Sequence, residues 1–206
     1  MGDTTARLPH RRGAAPVRSA PHAPAQPRFP RARHFAALDL GTNNCRLLIA
    51  RPQGQGFAVV DAFSRIVRLG EGLAATGRLS EAAIERTIAA LKICADKLRR
   101  RNVTLSRAVA TEACRRASNG ADFIRRVHEE TGIFLDVISA EEEARLAVLG
   151  CHALLEPGEG PALVFDIGGG STELVLLDTS HPVPNVVDWH STPWGVVSLT
   201  ESLVSG

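Results

Sequence analysis

The chain has 206 residues, enough for one large domain or two small ones, and its 44% of hydrophobic residues allows a sizeable core. No segment is long and apolar enough to span a bilayer, and the N-terminus lacks the apolar stretch of a secretory signal. The four cysteines are widely spaced, with no C-x-x-C pair and no Cys/His cluster. That spacing argues against zinc and indicates reduced thiols in a cytoplasmic protein.

The net charge of +2 is unevenly distributed along the chain. Residues 1–33 contain seven arginines against a single acid, together with six of the twelve prolines. The remainder is mildly acidic, with 17 basic and 21 acidic residues. The first 33 residues are therefore predicted to be a disordered leader. Electrostatic attachment to nucleic acid or polyphosphate is one hypothesis for it. A dispensable solvated tail is the favoured one, and no specific nucleic-acid partner is predicted.

From His34 onward, strand and helix patterns alternate, which predicts an α/β fold. Apolar runs predict strands at 35–40, 45–50, 57–69, 107–111, 134–138, 162–167, 174–177 and 186–190. Ser80 is predicted to cap a helix whose apolar stripe reaches Leu98, and a second helix at 122–131 is closed by Gly132. Ser139 is predicted to cap a third helix that runs to about Leu155.

One sequence pattern occurs twice. The copies read A-A-L-D-L-G-T-N-N-C-R-L-L and L-V-F-D-I-G-G-G-S-T-E-L-V, starting at residues 36 and 163. In each, an apolar strand ends in Asp, an apolar residue and Gly, a turn of small or polar residues follows, and a second strand begins. Two such strand–turn–strand units predict two related lobes that face each other across a cleft.

These turns have the composition of phosphate-binding sites. Glycine lets backbone N–H groups approach an anion closely, and hydroxyl, amide and guanidinium groups add donors. The predicted phosphate-binding residues are Gly41, Thr42, Asn43, Asn44, Arg46, Gly168, Gly169, Gly170, Ser171 and Thr172. A bare carboxylate beside phosphate would repel it, so Asp39 and Asp166 are predicted to hold Mg²⁺ between them and the substrate.

The two turns resemble the phosphate-binding hairpins of the actin, sugar-kinase and heat-shock-ATPase superfamily. Within it, the chain is similar to the exopolyphosphatase/guanosine pentaphosphate phosphohydrolase (Ppx/GppA) family. Besides the two turns, the resemblance rests on R-L-G-E-G-L at 68–73, A-T-E-A-C-R-R-A-S-N at 110–119, I-S-A-E-E-E-A-R-L at 138–146 and P-W-G-V-V-S-L-T-E at 193–201. It implies actin-like (ribonuclease H-like) lobes with mixed sheets and flanking helices. It also implies magnesium-dependent removal of the terminal phosphate from polyphosphate, or of the 5′-terminal phosphate from guanosine pentaphosphate (pppGpp).

Candidates for activating water are acids outside the two turns. Glu142 has the capping-box spacing from Ser139, which favours a structural role for it. The family's Glu-Ala-Arg motif falls on Glu143, so the resemblance implies that Glu143 is the catalytic base. Glu112 resembles a second family acid. Arg115 and Arg68 are predicted to help attract or line the path of the substrate, whereas Arg116 is interpreted as surface charge.

The resemblance divides the chain into the leader at 1–33, a first actin-like lobe at 34–136 and the start of a truncated second lobe at 137–206. An incomplete second lobe predicts exposed apolar surface, low stability and weak activity, and it would allow a homodimer to form. The chain would then be a fragment, a truncated gene product or a protein completed by another chain. Two other hypotheses stay open, a kinase or ATPase of the same superfamily and a binding module that does not turn over its ligand. The sequence does not separate polyphosphate from pppGpp as the substrate.

Overall fold

The computed structural model describes residues 33–155, 160–181 and 184–204. The predicted leader at 1–33 therefore lies almost wholly outside the described residues. Eight strands form two sheets within the described ranges. No helix among these residues is long and apolar enough to cross a membrane.

The first sheet has five strands in the order β3-β2-β1-β4-β5. They are β1 His34–Leu40, β2 Asn44–Gln53, β3 Gly56–Ile66, β4 Val103–Ala110 and β5 Asp136–Val137. The strands β1, β2 and β3 form an antiparallel meander, whereas β4 and β5 are parallel to β1. The sheet is thus mixed, as predicted for an actin-like lobe.

Helices α1 Leu73–Thr76, α2 Glu81–Arg100, α3 Glu112–Arg116 and α4 Gly120–Thr131 belong to the same lobe. The Ser80 hydroxyl caps α2 by accepting a hydrogen bond from the amide of Ala83, as predicted. The stripe of α2 packs on one face of the sheet, because Ile84, Ile88 and Leu91 are buried in the same core cluster as the β1 and β2 side chains. This core fixes the strands that carry the first turn.

The second sheet has three antiparallel strands, β6 Ala162–Ile167, β7 Thr172–Asp178 and β8 Asn185–Thr192. Helix α5 Ala140–Cys151, continued by a 3₁₀ turn at His152–Leu154, covers one face, and helix α6 Val196–Val204 follows β8. The core beneath α5 is small, with Ala144, Val148, Val175 and Leu177 as its buried members. The opposite face is open, since Leu163, Phe165 and Ile167 are each more than half exposed.

Several sequence-based boundaries differ from the structure. The predicted strand at 57–69 ends at Ile66, and the following residues hydrogen-bond to the first turn instead. The predicted strand at 134–138 shortens to Asp136–Val137. Helices α1, α3 and α6 were not predicted, because two of them are very short and α6 follows a strand without a polar cap.

Candidate active site

The first turn joins β1 to β2 and is closed by a hydrogen bond from the amide of Gly41 to the carbonyl of Asn44 at 2.9 Å. The segment after β3 supports this turn from behind. The amides of Val67 and Arg68 donate to the Asn43 carbonyl at 2.8 and 3.0 Å, and the Gly70 amide donates to the Thr42 carbonyl at 3.0 Å. These bonds direct the carbonyl groups of the turn towards the protein, which leaves its opposite side suited to an anion.

The second turn repeats this arrangement between β6 and β7. The amide of Gly168 donates to the Ser171 carbonyl at 2.9 Å. Here the first residues of α6 support the turn, as the segment after β3 supports the first one. The Val196 amide donates to the Gly168 carbonyl at 3.0 Å, and the Val197 amide donates to the Gly169 carbonyl at 2.8 Å. The motifs R-L-G-E-G-L and P-W-G-V-V-S therefore share one structural task, supporting a glycine-rich turn from behind.

The two turns touch each other at their tips. A side chain on Gly169 would place its Cβ 3.0 Å from the Asn43 Cβ, and one on Gly170 would place it 2.7 Å from the Thr42 hydroxyl oxygen. The glycines of the second turn thus permit a close approach of the two turns, in addition to exposing backbone amides.

A polar cleft of about 270 Å³ lies between the turns. Its lining includes every predicted site residue except Glu112 and Thr172, together with Thr111, Ile167 and Val196: Asp39, Gly41, Thr42, Asn43, Asn44, Arg46, Glu143, Asp166, Gly168, Gly169, Gly170 and Ser171. The Thr172 hydroxyl instead donates to the Trp194 carbonyl at 2.7 Å. A larger groove of about 830 Å³ adjoins the cleft and shares its carboxylates, but most of its other lining residues are apolar. The polar cleft is the better candidate for binding an anion.

The carboxylates of Asp39 and Asp166 come from facing turns and both line the cleft. Burial raises the pKa of Asp39, the nearby Arg46 opposes that rise, and the negative charge of Asp166 adds to it. Two carboxylates that line one cleft repel each other, and a cation bound between them would remove that repulsion. The described residues contain no group of three or more His, Cys, Asp or Glu placed to hold a metal. Two carboxylates completed by water and substrate phosphate suit Mg²⁺, which is commonly bound in that way.

Glu143 lies in the first turn of α5, and its side chain is 19% exposed. Burial raises its pKa, hydrogen bonding and charge from Arg115 oppose the rise, and the charge of Glu173 adds to it. The Ser139 hydroxyl caps the helix by accepting from the Glu142 amide at 3.1 Å. The Glu142 side chain binds Arg145 and Arg107, and these partners lower its pKa to about 2.

The remaining predicted charges lie outside the cleft lining. Glu112 accepts a hydrogen bond from Arg115 at 2.9 Å, and its catalytic role stays a prediction. Arg116 is a partly exposed side chain 3.6 Å from Glu112. Arg68 is exposed and has a backbone φ of 48°, an uncommon conformation for a residue with a side chain. It contributes its backbone amide to the first turn, and its carbonyl accepts from Arg86 at 3.1 Å.

Sequence reasoning missed Glu173, which is only 1% exposed. It is the cross-strand partner of Asp166 in the β6–β7 pair. Its carboxylate accepts a hydrogen bond from the Ser191 hydroxyl at 2.9 Å. The signal was present in the alternation of β7, because Val175 and Leu177 on the same face are buried. An acid at that position has to lie inside the protein.

The mixed sheet and the paired glycine-rich turns define an α/β protein of the actin-like class. The chain belongs to the Ppx/GppA phosphatase family, whose sequence model matches residues 48–206. The resemblance inferred from the motifs is thereby confirmed.

Solved structures agree with this assignment. The Aquifex aeolicus member of the Ppx/GppA family is 39% identical, with a TM-score of 0.68 over 82% of this chain and 54% of that one. An exopolyphosphatase-like protein is 35% identical, with a TM-score of 0.75 over 84% of this chain and 54% of that one. An exopolyphosphatase from Cytophaga hutchinsonii is 27% identical, with a TM-score of 0.75 over 82% and 53%. The chain therefore spans about half the length of the solved structures it matches.

Proposed function

We propose that this chain carries the catalytic cleft of a phosphohydrolase that removes the terminal phosphate of inorganic polyphosphate or the 5′-terminal phosphate of pppGpp. One observation carries the proposal: two phosphate turns, the facing Asp39 and Asp166, and the partly buried Glu143 converge on a single cleft of about 270 Å³. The names of the matched exopolyphosphatase structures support the same chemistry.

The two turns would hold the terminal phosphate by backbone amides. Their carbonyls are hydrogen-bonded from behind, so binding an anion on the other side needs little rearrangement. Arg46 lines the cleft, stands across the β1–β2 pair from Asp39, and offers a fork of donors to phosphate oxygens. Hydrolysis of a phosphoanhydride depends mostly on such positioning and on neutralising charge.

Asp39 and Asp166 are the residues that would hold Mg²⁺. When bound there, the ion would neutralise charge on the phosphate oxygens. Arg46 supplies a further positive charge to the same cleft, next to the carboxylate of Asp39.

Glu143 would act as the general base. It takes a proton from the water whose oxygen forms a bond to the terminal phosphorus, while the bond from that phosphorus to the bridging oxygen breaks. Burial raises its pKa and so makes it a better proton acceptor than an exposed glutamate, while Arg115 opposes the rise and favours the ionised form. Both proposed substrates present the same terminal group to this residue.

The cysteines support a reducing compartment such as the cytoplasm. Cys45, Cys94 and Cys114 are buried and all four thiols are free. Free thiols are typical of proteins kept under reducing conditions.

Phosphate release from polyphosphate and from pppGpp, measured with MgCl₂ on wild type and Glu143→Gln, tests the proposal. We expect the variant to lose about 100-fold or more in turnover while keeping the fold. Glu141→Gln is the matched control, since Glu141 is an exposed acid on the same helical turn. Binding of tripolyphosphate without turnover by the wild type would identify a binding module instead.

A further inference from the structure

Arg115 connects three groups around the candidate base. Its Nη1 donates to a Glu143 carboxylate oxygen at 2.8 Å and to the Ile138 carbonyl at 2.7 Å, and its Nη2 donates to Glu112 at 2.9 Å. The side chains of Arg115, Glu112 and Glu143 are 18%, 14% and 19% exposed. A guanidinium presents its donors in a rigid fork, so these bonds restrict the orientation of both carboxylates.

Arg115 lies outside the lining of the cleft in which the phosphate would bind. Glu143 lines the cleft, whereas Arg115 and Glu112 are not among the residues that line it. The bond to Ile138 also anchors the arginine to the chain just before Ser139, the residue that caps α5. Arg115 therefore holds both the start of the helix and the acid that the helix carries.

We infer that Arg115 is a positioning residue that aims Glu143 at the attacking water, with Glu112 as the partner that keeps the guanidinium in place. The inference rests on the proposed role of Glu143 as base. The sequence suggested that Arg115 attracts the substrate. The contacts instead favour an action of Arg115 through the side chain of Glu143.

Several acids lie around Glu143, so its carboxylate needs a cation to hold it in one direction. Glu173 faces it from β7, while Asp39 and Asp166 line the same cleft from the two turns. Arg46 lines that cleft beside Asp39, so Arg115 is the cation that contacts Glu143 directly. Without Arg115, repulsion from the surrounding acids would turn the Glu143 carboxylate away from its productive direction.

The test compares kcat and KM for hydrolysis of inorganic tripolyphosphate with MgCl₂, using the full chain. Arg115→Ala is expected to lower kcat by about 10–100-fold and to leave KM within about threefold, because a misaimed base slows the reaction without weakening phosphate binding. Arg115→Lys keeps the charge but loses the fork, so it should recover part of kcat. Arg125→Ala is the control, since Arg125 is an exposed arginine on α4.

A double variant gives the readout that a merely structural role would not produce. If Arg115 acts through Glu143, then Arg115→Ala should cost less than about threefold in a Glu143→Gln background. Effects that multiply in the double variant would overturn the inference, as would a rise in KM at unchanged kcat. If circular dichroism shows Arg115→Ala to be unfolded, Arg115→Lys in both backgrounds gives the same comparison. Wild-type turnover by Glu143→Gln alone would instead overturn the proposed function.

Discussion

The two glycine-rich turns have the same strand register but belong to sheets with cores of very different size. In the first, Asp39 faces Arg46 across the strand pair, and the turn belongs to a five-stranded sheet with a large core. In the second, Asp166 faces the buried Glu173, and the turn belongs to a three-stranded sheet with a small core. The same hairpin position therefore holds an arginine in the first turn and a buried glutamate in the second. The first turn pairs its acid with a cation, and the second pairs its acid with another acid.

The largest effects are expected when the paired aspartates are changed. Asp39→Asn and Asp166→Asn should each lower turnover by about 100-fold or more, because each would remove half of the proposed magnesium site. Titration of activity against MgCl₂ measures this loss. Wild-type activity and magnesium dependence in either variant would contradict the assignment of that turn.

Asp39→Asn should also change stability in a direction that the pKa fixes. Burial raises the pKa of Asp39, so its ionised form costs stability at pH values above the unfolded-state pKa of an aspartate. Without Mg²⁺ at neutral pH, the variant is expected to have a higher melting temperature than wild type. The difference should disappear when the pH falls below that unfolded-state value, where both proteins carry a neutral group.

The supporting segments behind the two turns should differ in how well they tolerate a methyl group added at a glycine. A Cβ on Gly195 would lie 2.5 Å from the carbonyl carbon of Gly169, a backbone atom. A Cβ on Gly70 would lie 2.3 Å from the Thr42 Cγ2, a side-chain methyl group and not a backbone atom. Gly195→Ala is therefore expected to lower the free energy of unfolding by roughly 1–3 kcal/mol, and Gly70→Ala by less. Urea denaturation of both variants measures this, and equal losses would contradict the difference between the two supports.

Glu173→Gln should shift the pH dependence of the reaction. The charge of Glu173 raises the pKa of Glu143, so neutralising it lowers that pKa. Since Glu143 has to be ionised to act as a base, the acid limb of the kcat/KM profile should move to lower pH. A profile of unchanged position would show that Glu173 does not act on the base. Glu130→Gln on α4 is a control, since its partners there are the surface cations Lys92 and Arg126.

The sequence predicted what depends on local pattern. Both turns and the caps Ser80 and Ser139 follow from short motifs and hydrophobic periodicity, and the meeting of the two turns at one cleft follows from the repeated pattern and the family resemblance. The sequence did not predict the support of the turns by Gly70 and Gly195, because those contacts join residues distant along the chain. The contact between Arg115 and Glu143 was not predicted for the same reason, since the two residues lie 28 positions apart.

The smallest effects are expected when the caps of helices α2 and α5 are removed. Ser80 and Ser139 each accept one amide hydrogen bond, at 3.2 and 3.1 Å, so replacing either by Ala should cost about 1 kcal/mol of stability. Only α5 carries the proposed base, so Ser139→Ala should also reduce turnover, by about tenfold or less, whereas Ser80→Ala should leave it near wild type. Thermal melts and tripolyphosphate hydrolysis of the two variants measure this. If both reduce turnover equally, loss of stability alone explains the effect and the cap of α5 has no separate role in placing Glu143.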